Sequence, residues 1–301
     1  MVTTAVNHGG IGGPPGSPWR GLRGRCSAWK LHWLLRLGVA MEFIGHGACG
    51  IHTKAAWLPF FRLFSIPDST AWSLMPVVGS MDVGLGLMTL LAPRRALLVY
   101  MAVWGCFTAL LRPASGDSGW EFLERSYNYG VPLALLMLHG ISRNRSQWWM
   151  PLSPTTEVSC ERLKQMSVAL RLVVAFMLVG HGGFGAFMAK ANLLEFYRAA
   201  GLGSAGLPLE TLRSAIGFFE IGLGLAALRI TAPLFLMFVF GWKLASELLY
   251  PISGASMACW EVIERGGSYV APLALLYTAR AFEPGSQPKP ATVGNDSTAR
   301  R

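Results

Sequence analysis

Charge is what this chain has least of. Lys, Arg, Asp and Glu make up 14% of 301 residues, against 52% hydrophobic residues. A soluble domain carries about 25% charged residues. The few charges gather between apolar runs instead of lying along amphipathic faces, which excludes an ordinary water-exposed globule. Cysteine is also sparse. Cys26, Cys49, Cys106, Cys160 and Cys259 show no CxxC spacing, so they read as unpaired thiols and not as a metal or redox motif. There is no Gly-rich nucleotide loop, no nucleophile triad and no clustered metal-ligand spacing. No signal-peptide core precedes the first long apolar run, and residues 1–27, rich in Gly, Pro and Arg, read as a disordered basic tail.

What is present is a duplication. The apolar run Leu35 to Gly50 carries His46 between Gly45 and Gly47. It returns as Leu170 to Gly185, with His181 between Gly180 and Gly182. Gly79, Asp82, Gly84 and Gly86 return as Gly217, Glu220, Gly222 and Gly224; Trp104 and Pro113 return as Trp242 and Pro251. Trp120, Glu121, Glu124, Arg125 and Tyr129 return as Trp260, Glu261, Glu264, Arg265 and Tyr269. The order is kept and the spacing drifts by a few residues, so the chain is an internal repeat.

Each unit supplies apolar segments near the ~20 residues needed to cross a bilayer. The expected spans are about 31–51, 71–92, 96–111 and 118–141, then 167–188, 209–228, 230–250 and 267–282. This predicts an all-α integral membrane protein, with eight transmembrane helices as two parallel repeats of a four-helix bundle. The units cover 28–141 and 167–282, joined by a linker at 142–166 and followed by a disordered tail at 283–301. The net charge of +10 comes from the N-terminal tail, the Pro93-Arg94-Arg95 turn, the linker and the C-terminus. That is positive-inside bias, not a nucleic-acid footprint, and it places both termini in the cytoplasm of a cell-membrane protein. An even number of spans per unit relates the units by an axis along the membrane normal. The aromatic stretch from Trp57 to Phe64 is too short to span and reads as interfacial. Trp148 and Trp149 belong at a membrane surface.

Ionisable groups inside spans are expensive and mark interiors or wet cavities. Glu42 and His46 are four apart on one helix face; the equivalent of Glu42 is Met177, so only the histidine is kept. His46 and His181 read equally as a ligand or proton site and as neutral histidines bonded to a neighbouring helix. Asp82 and Glu220 read equally as proton-accepting or headgroup-binding acids and as partners of their own unit's histidine. Trp120, Glu121, Glu124 and Arg125, with Trp260, Glu261, Glu264 and Arg265, read first as capped, salt-bridged helix starts, with Ser118 at an N-cap and Glu ahead of Arg at i,i+4. Second, they read as walls of one outward-facing cavity per unit. Lys243 and Glu247 share a helix face where the first unit has Gly105 and Ala109, and read as a structural ion pair.

The stretches Phe43 to Gly47 and Gly79 to Gly86, with Gly180 to Gly182 and Gly217 to Gly224, resemble the DoxX family of small membrane proteins. The resemblance covers about three spans of each unit. It implies four-helix membrane bundles, some of them subunits linked to quinone reduction or to membrane redox complexes. A quinone or other amphipathic ligand near His46 and His181 follows as the leading expectation, with another membrane or redox protein as partner beside the lipid bilayer. Bis-histidine haem is a less favoured cofactor. The other readings are a small-solute carrier and a non-catalytic assembly partner of a membrane enzyme.

Overall fold

The computed structural model describes residues 18–154, 158–188, 191–204 and 206–280, with the side chains of 18–27 and of a few residues near the gaps left aside. The expected tail at 283–301 and residues 1–17 of the expected N-terminal tail lie outside the described residues. The described chain is helical, and its one β feature is an isolated bridge between Arg94 and Pro151. In order the helices are α1 (Pro18–Ile51), α2 (Leu58–Arg62), α3 (Asp68–Leu91), α4 (Arg95–Ala114), α5 (Gly119–Glu124), α6 (Ser126–His139), α7 (Cys160–Phe187), α8 (Ala191–Ala199), α9 (Leu209–Ala227), α10 (Pro233–Glu247), α11 (Leu249–Ile252), α12 (Ala258–Glu264) and α13 (Gly266–Arg280).

Among the described residues, five helical stretches are long and apolar enough to cross a membrane: Ala28–Ile51, Asp68–Leu91, Arg95–Ala114, Cys160–Phe187 and Pro233–Ile252. Three expected spans fall short by that measure. The fourth breaks at Arg125 (φ −85°, ψ 16°), and the eighth is the 15-residue α13, separated from α12 by a similar break at Arg265. This leaves α6 with 14 residues, or ~21 Å of helix. The sixth, α9, carries Glu210, Arg213 and Glu220 within 19 residues. Two other boundaries move. α1 starts at Pro18, inside the expected tail, and α7 starts at Cys160, inside the expected linker. The linker holds no helix-breaking signal after Pro154, and Ser159 caps α7 by accepting from the Arg162 amide.

Burial sorts the helices. The apolar windows of α1 and α7 are 67% and 61% buried, those of α3, α4 and α10 only 22–28%. α1 and α7 both pack on α6 and α13, and these four enclose the main core of Leu35, Val131, Leu135, Leu170, Val174 and Leu275. α3 lies on α1, α9 on α7, α4 on α6 and α10 on α13. These outer helices present Val77, Leu87, Val103, Phe218, Leu234 and Phe238 on the outside. That is a lipid-facing pattern, since lipid does not penalise exposed apolar side chains.

The arginine that interrupts the first run has a structural use. Arg36 reaches the carbonyls of Thr89 and Leu90 at 3.0 and 2.6 Å. These are orphan acceptors at the C-terminus of α3, where a cation is favoured. Its repeat equivalent, Arg171, reaches the Leu228 carbonyl behind α9 at 3.4 Å. In the centre, Gly38 of α1 receives the Val270 side chain of α13, and Gly130 of α6 receives Val173 of α7.

Candidate functional site

Each half builds the same three-residue cluster. His46 Nδ1 lies 2.7 Å from Asp82 Oδ2, and Trp104 Nε1 donates to Asp82 Oδ1 at 2.9 Å. His181 Nδ1 lies 2.6 Å from Glu220 Oε2, and Trp242 Nε1 donates to Glu220 Oε1 at 2.8 Å. Both acids are fully buried. The histidine comes from α1 or α7, the acid from the neighbouring α3 or α9, the indole from α4 or α10. The histidine–acid link agrees with one of the two sequence readings. The indole donors were visible only as repeat landmarks; the sign that could have found them is a Trp kept in both copies in an apolar helix, where its N–H needs a partner.

A cavity adjoins each cluster. The first, about 150 Å³, is walled by His46, Trp57, Phe60, Phe61, Trp104 and Phe107, with Arg112, Arg125 and Asn128 among its few polar groups. The Trp57 ring stacks on His46 at 4.5 Å, so a residue expected at the membrane interface is part of the site. The second, about 190 Å³, is walled by His181, Phe196, Tyr197, Trp242 and Tyr250, with Glu220 and Glu247. Burial holds the Tyr197 hydroxyl above its ordinary range, so it enters this wall as a neutral donor.

The second reading of the Trp-Glu-Glu-Arg motifs, as walls of one cavity per unit, meets a different packing. Gly45 beside His46 lies against the backbone of Glu264, and Gly180 beside His181 lies against the backbone of Glu124. Trp120 packs on Gly183 and stacks on Phe187 at 5.7 Å, both on α7; Trp260 packs with Cys49 and Trp57 of the first half. Each motif therefore abuts the histidine helix of the opposite half. Glycine allows this because any Cβ at position 45 or 180 would occupy the partner's backbone. Arg125 alone of the first motif also lines the cavity of its own half.

Between the clusters runs a buried ionic layer. Arg265 meets Glu247 at 2.9 Å, Glu261 at 2.8 Å and the Tyr250 hydroxyl at 2.7 Å. Lys243 meets Glu247 at 2.6 Å, as the helix-face pairing implied, and Lys54 binds Glu261 across the halves. In the first half Arg125 meets Glu124 at 2.9 Å and Glu121 at 3.3 Å, and Arg112 meets Glu121 at 3.6 Å. The expected i,i+4 pairs, Glu121–Arg125 and Glu261–Arg265, are thus both formed, and Ser118 accepts from the Trp120 amide as an N-cap. Among the described residues the one cluster of metal-ligand atoms is Cys49, Glu261 and Glu264. Glu261 is already neutralised by Lys54 and Arg265, so this cluster reads as part of the ionic layer. Glu42 is buried and lines a third, smaller cavity with His46 and Asn128.

What the arrangement can do chemically is limited and specific. A histidine held at Nδ1 by a buried acid has a fixed ring orientation, and its Nε2 can accept or donate according to charge. Aromatic walls around it suit a flat or chain-like apolar ligand with one polar end. No family model, curated protein or solved structure matches the chain.

Proposed function

We propose that the protein is a multi-pass membrane protein that binds a quinone or similar amphipathic ligand in each half, as a DoxX-like subunit of a membrane redox system. The observation that carries this reading is the pair of aromatic-walled cavities, each with a buried acid–histidine–indole cluster at its polar end. The ligand's carbonyl or hydroxyl would meet His46 or His181, the acid would hold the imidazole through either charge state, and the ring would lie among Trp57 and Phe61 or Phe196 and Tyr197.

The test is direct. Protein purified in mild detergent is extracted with solvent, and the extract is assayed for quinone. In parallel, tryptophan quenching is followed on adding a short-chain benzoquinone. Saturable quenching is expected, weakened on the order of tenfold or more when His46 and His181 are both replaced by alanine. A quinone-free extract with linear, unsaturable quenching in the wild type would remove the reading and leave the clusters as interhelical hydrogen bonds.

The proposal includes eight crossings of the cell membrane with both ends cytoplasmic, in two parallel four-helix units. α5–α6 and α12–α13 then cross as broken helices, and α9 crosses with Arg213 and Glu220 turned inward and Glu210 exposed in its first turn. Two exposed thiols test this, Cys160 at the start of α7 and Cys259 at the start of α12. An impermeant maleimide should label Cys259 from outside intact cells and Cys160 only in inverted vesicles. Labelling of both from one side would exclude eight crossings.

A further inference from the structure

Glu42, in the first half, takes no part in the cluster of His46, Asp82 and Trp104. Glu42 is 2% exposed, and its Oε2 has no hydrogen-bond partner. Asn128 is 5% exposed, and its Oδ1 is likewise unpartnered. Both line a cavity of about 10 Å³ together with Thr108, Gly105 and Trp104. That volume suits a single water-sized occupant. The lining is shared with the larger first cavity through His46, Trp104, Thr108 and Asn128.

The packing leaves this space open on purpose-built small residues. A Cβ on Gly267 would come within 3.2 Å of Glu42 Oε2 and 2.9 Å of the Tyr127 ring. A Cβ on Gly105 would fall on the Asn128 backbone. The second half has no such place. Met177, Lys243 and Ser268 stand where the first half has Glu42, Gly105 and Asn128. There the acid is gone, and the added ammonium is held by Glu247 at 2.6 Å.

A carboxylate buried without a partner is too costly to persist bare. Its neighbours add to the demand for positive charge: Asp82 faces it from α3 and Glu264 from α12. Tyr127 approaches from α6 and α13 presents Gly267, while His46, one turn along α1, is already held by Asp82. The available ligand atoms are oxygens, of carboxylate, amide and hydroxyl, which is the donor set of a small hard cation.

We propose that Glu42, Asn128 and Thr108 form a site for a small monovalent cation, Na⁺ or a proton, reached from the first ligand cavity and lacking a counterpart in the second half. Where Na⁺ replaces the proton, one proton leaves per ion bound, so the charge of the site is unchanged. The inference stands on the orphaned oxygens and their cavity and does not need the quinone reading.

The full-length protein in detergent micelles is the test material, with NaCl against choline chloride at equal ionic strength. Two readouts are taken: the thermal midpoint, and the carboxyl absorption in infrared difference spectra. A Na⁺ site shows as a midpoint that rises with Na⁺ and a carboxyl band that is lost as it binds. E42Q and E42M should need on the order of tenfold more Na⁺, or show no response. A proton-only site shows no Na⁺ effect, but a carboxyl band that titrates with pH in the wild type and is missing in E42Q. If neither variant folds, T108V takes their place: it removes one lining oxygen and keeps Glu42, and it should weaken the Na⁺ response or shift the titrating band. The proposal is overturned if the wild type shows neither a Na⁺-dependent nor a pH-dependent carboxyl band, or if E42Q and E42M respond as the wild type does.

Discussion

Replacing Arg265 with methionine should lower the stability of the protein by about 3–5 kcal/mol, the usual cost of removing one partner from a buried ion network. Arg265 is 5% exposed and serves Glu247, Glu261 and the Tyr250 hydroxyl at once. Around it, Glu247, Glu261 and Glu264 face Lys54, Lys243 and Arg265. Its loss leaves three carboxylates to two ammonium groups, in a buried place. The measurement is the unfolding transition in mixed micelles, with Arg143→Ala as the comparison, since Arg143 is exposed. The size of the effect identifies its cause. Arg265→Met combined with Glu261→Gln should recover a large part of the loss, because the second change restores two carboxylates to two ammonium groups and frees Lys54. An Arg265→Met protein as stable as Arg143→Ala would mean that the layer is solvated and carries little energy.

The second large effect concerns the crossing of the halves. Gly45→Ala and Gly180→Ala should each destabilise by about 1–3 kcal/mol, through overpacking against the backbones of Glu264 and Glu124. Gly84→Ala should be neutral or slightly favourable, because a Cβ there meets nothing within 4 Å and alanine is the better helix former. The two damaging changes sit at separate interfaces, so the double variant should show nearly the sum. If Gly45→Ala and Gly84→Ala behaved alike, helix propensity and not close approach would govern both sites, and the crossed packing would lose its main support.

Much of this was readable from residues alone, for definite reasons. The repeat is carried by Trp, His and Pro, which rarely recur in register by accident. The i,i+4 spacing of Glu121 with Arg125 and of Glu261 with Arg265 holds on any helix, so those pairs were legible without knowing the fold. The links from His46 to Asp82 and from His181 to Glu220 were one of two open readings, because a polar group inside an apolar helix must find a partner on another helix. The crossing was not legible. A tandem repeat has the same sequence whether the Trp120 motif packs on its own unit's histidine helix or on the other's, and nothing in Gly45 names the backbone that fills its missing side chain. The breaks at Arg125 and Arg265 were hidden for a related reason. The spacing of Glu121 with Arg125 and of Glu261 with Arg265 supports a helix up to each arginine, and neither Ser126-Tyr127 nor Gly266-Gly267 after it carries a proline to mark the stop. That Trp57 lines the cavity was not legible, because an aromatic residue just outside a span suits a membrane surface as well as a cavity wall.

The packing of Gly38 on Val270, and of Val173 on Gly130, bears on the history of the chain as well as on its stability. Positions 38 and 173 are equivalent in the repeat, as are 130 and 270. One interface has its small residue on the first helix and its large residue on the last; the other has them reversed. Two copies of the first half would set Gly38 opposite Gly130 and leave a hole. Two copies of the second would drive Val173 into Val270. A homodimer of one such unit could have had either arrangement at both interfaces but not one of each, so the two halves as they stand fit each other as lock and key. Each can now be completed only by the other, and the covalent join has become a stoichiometric rule: one of each, never two of the same.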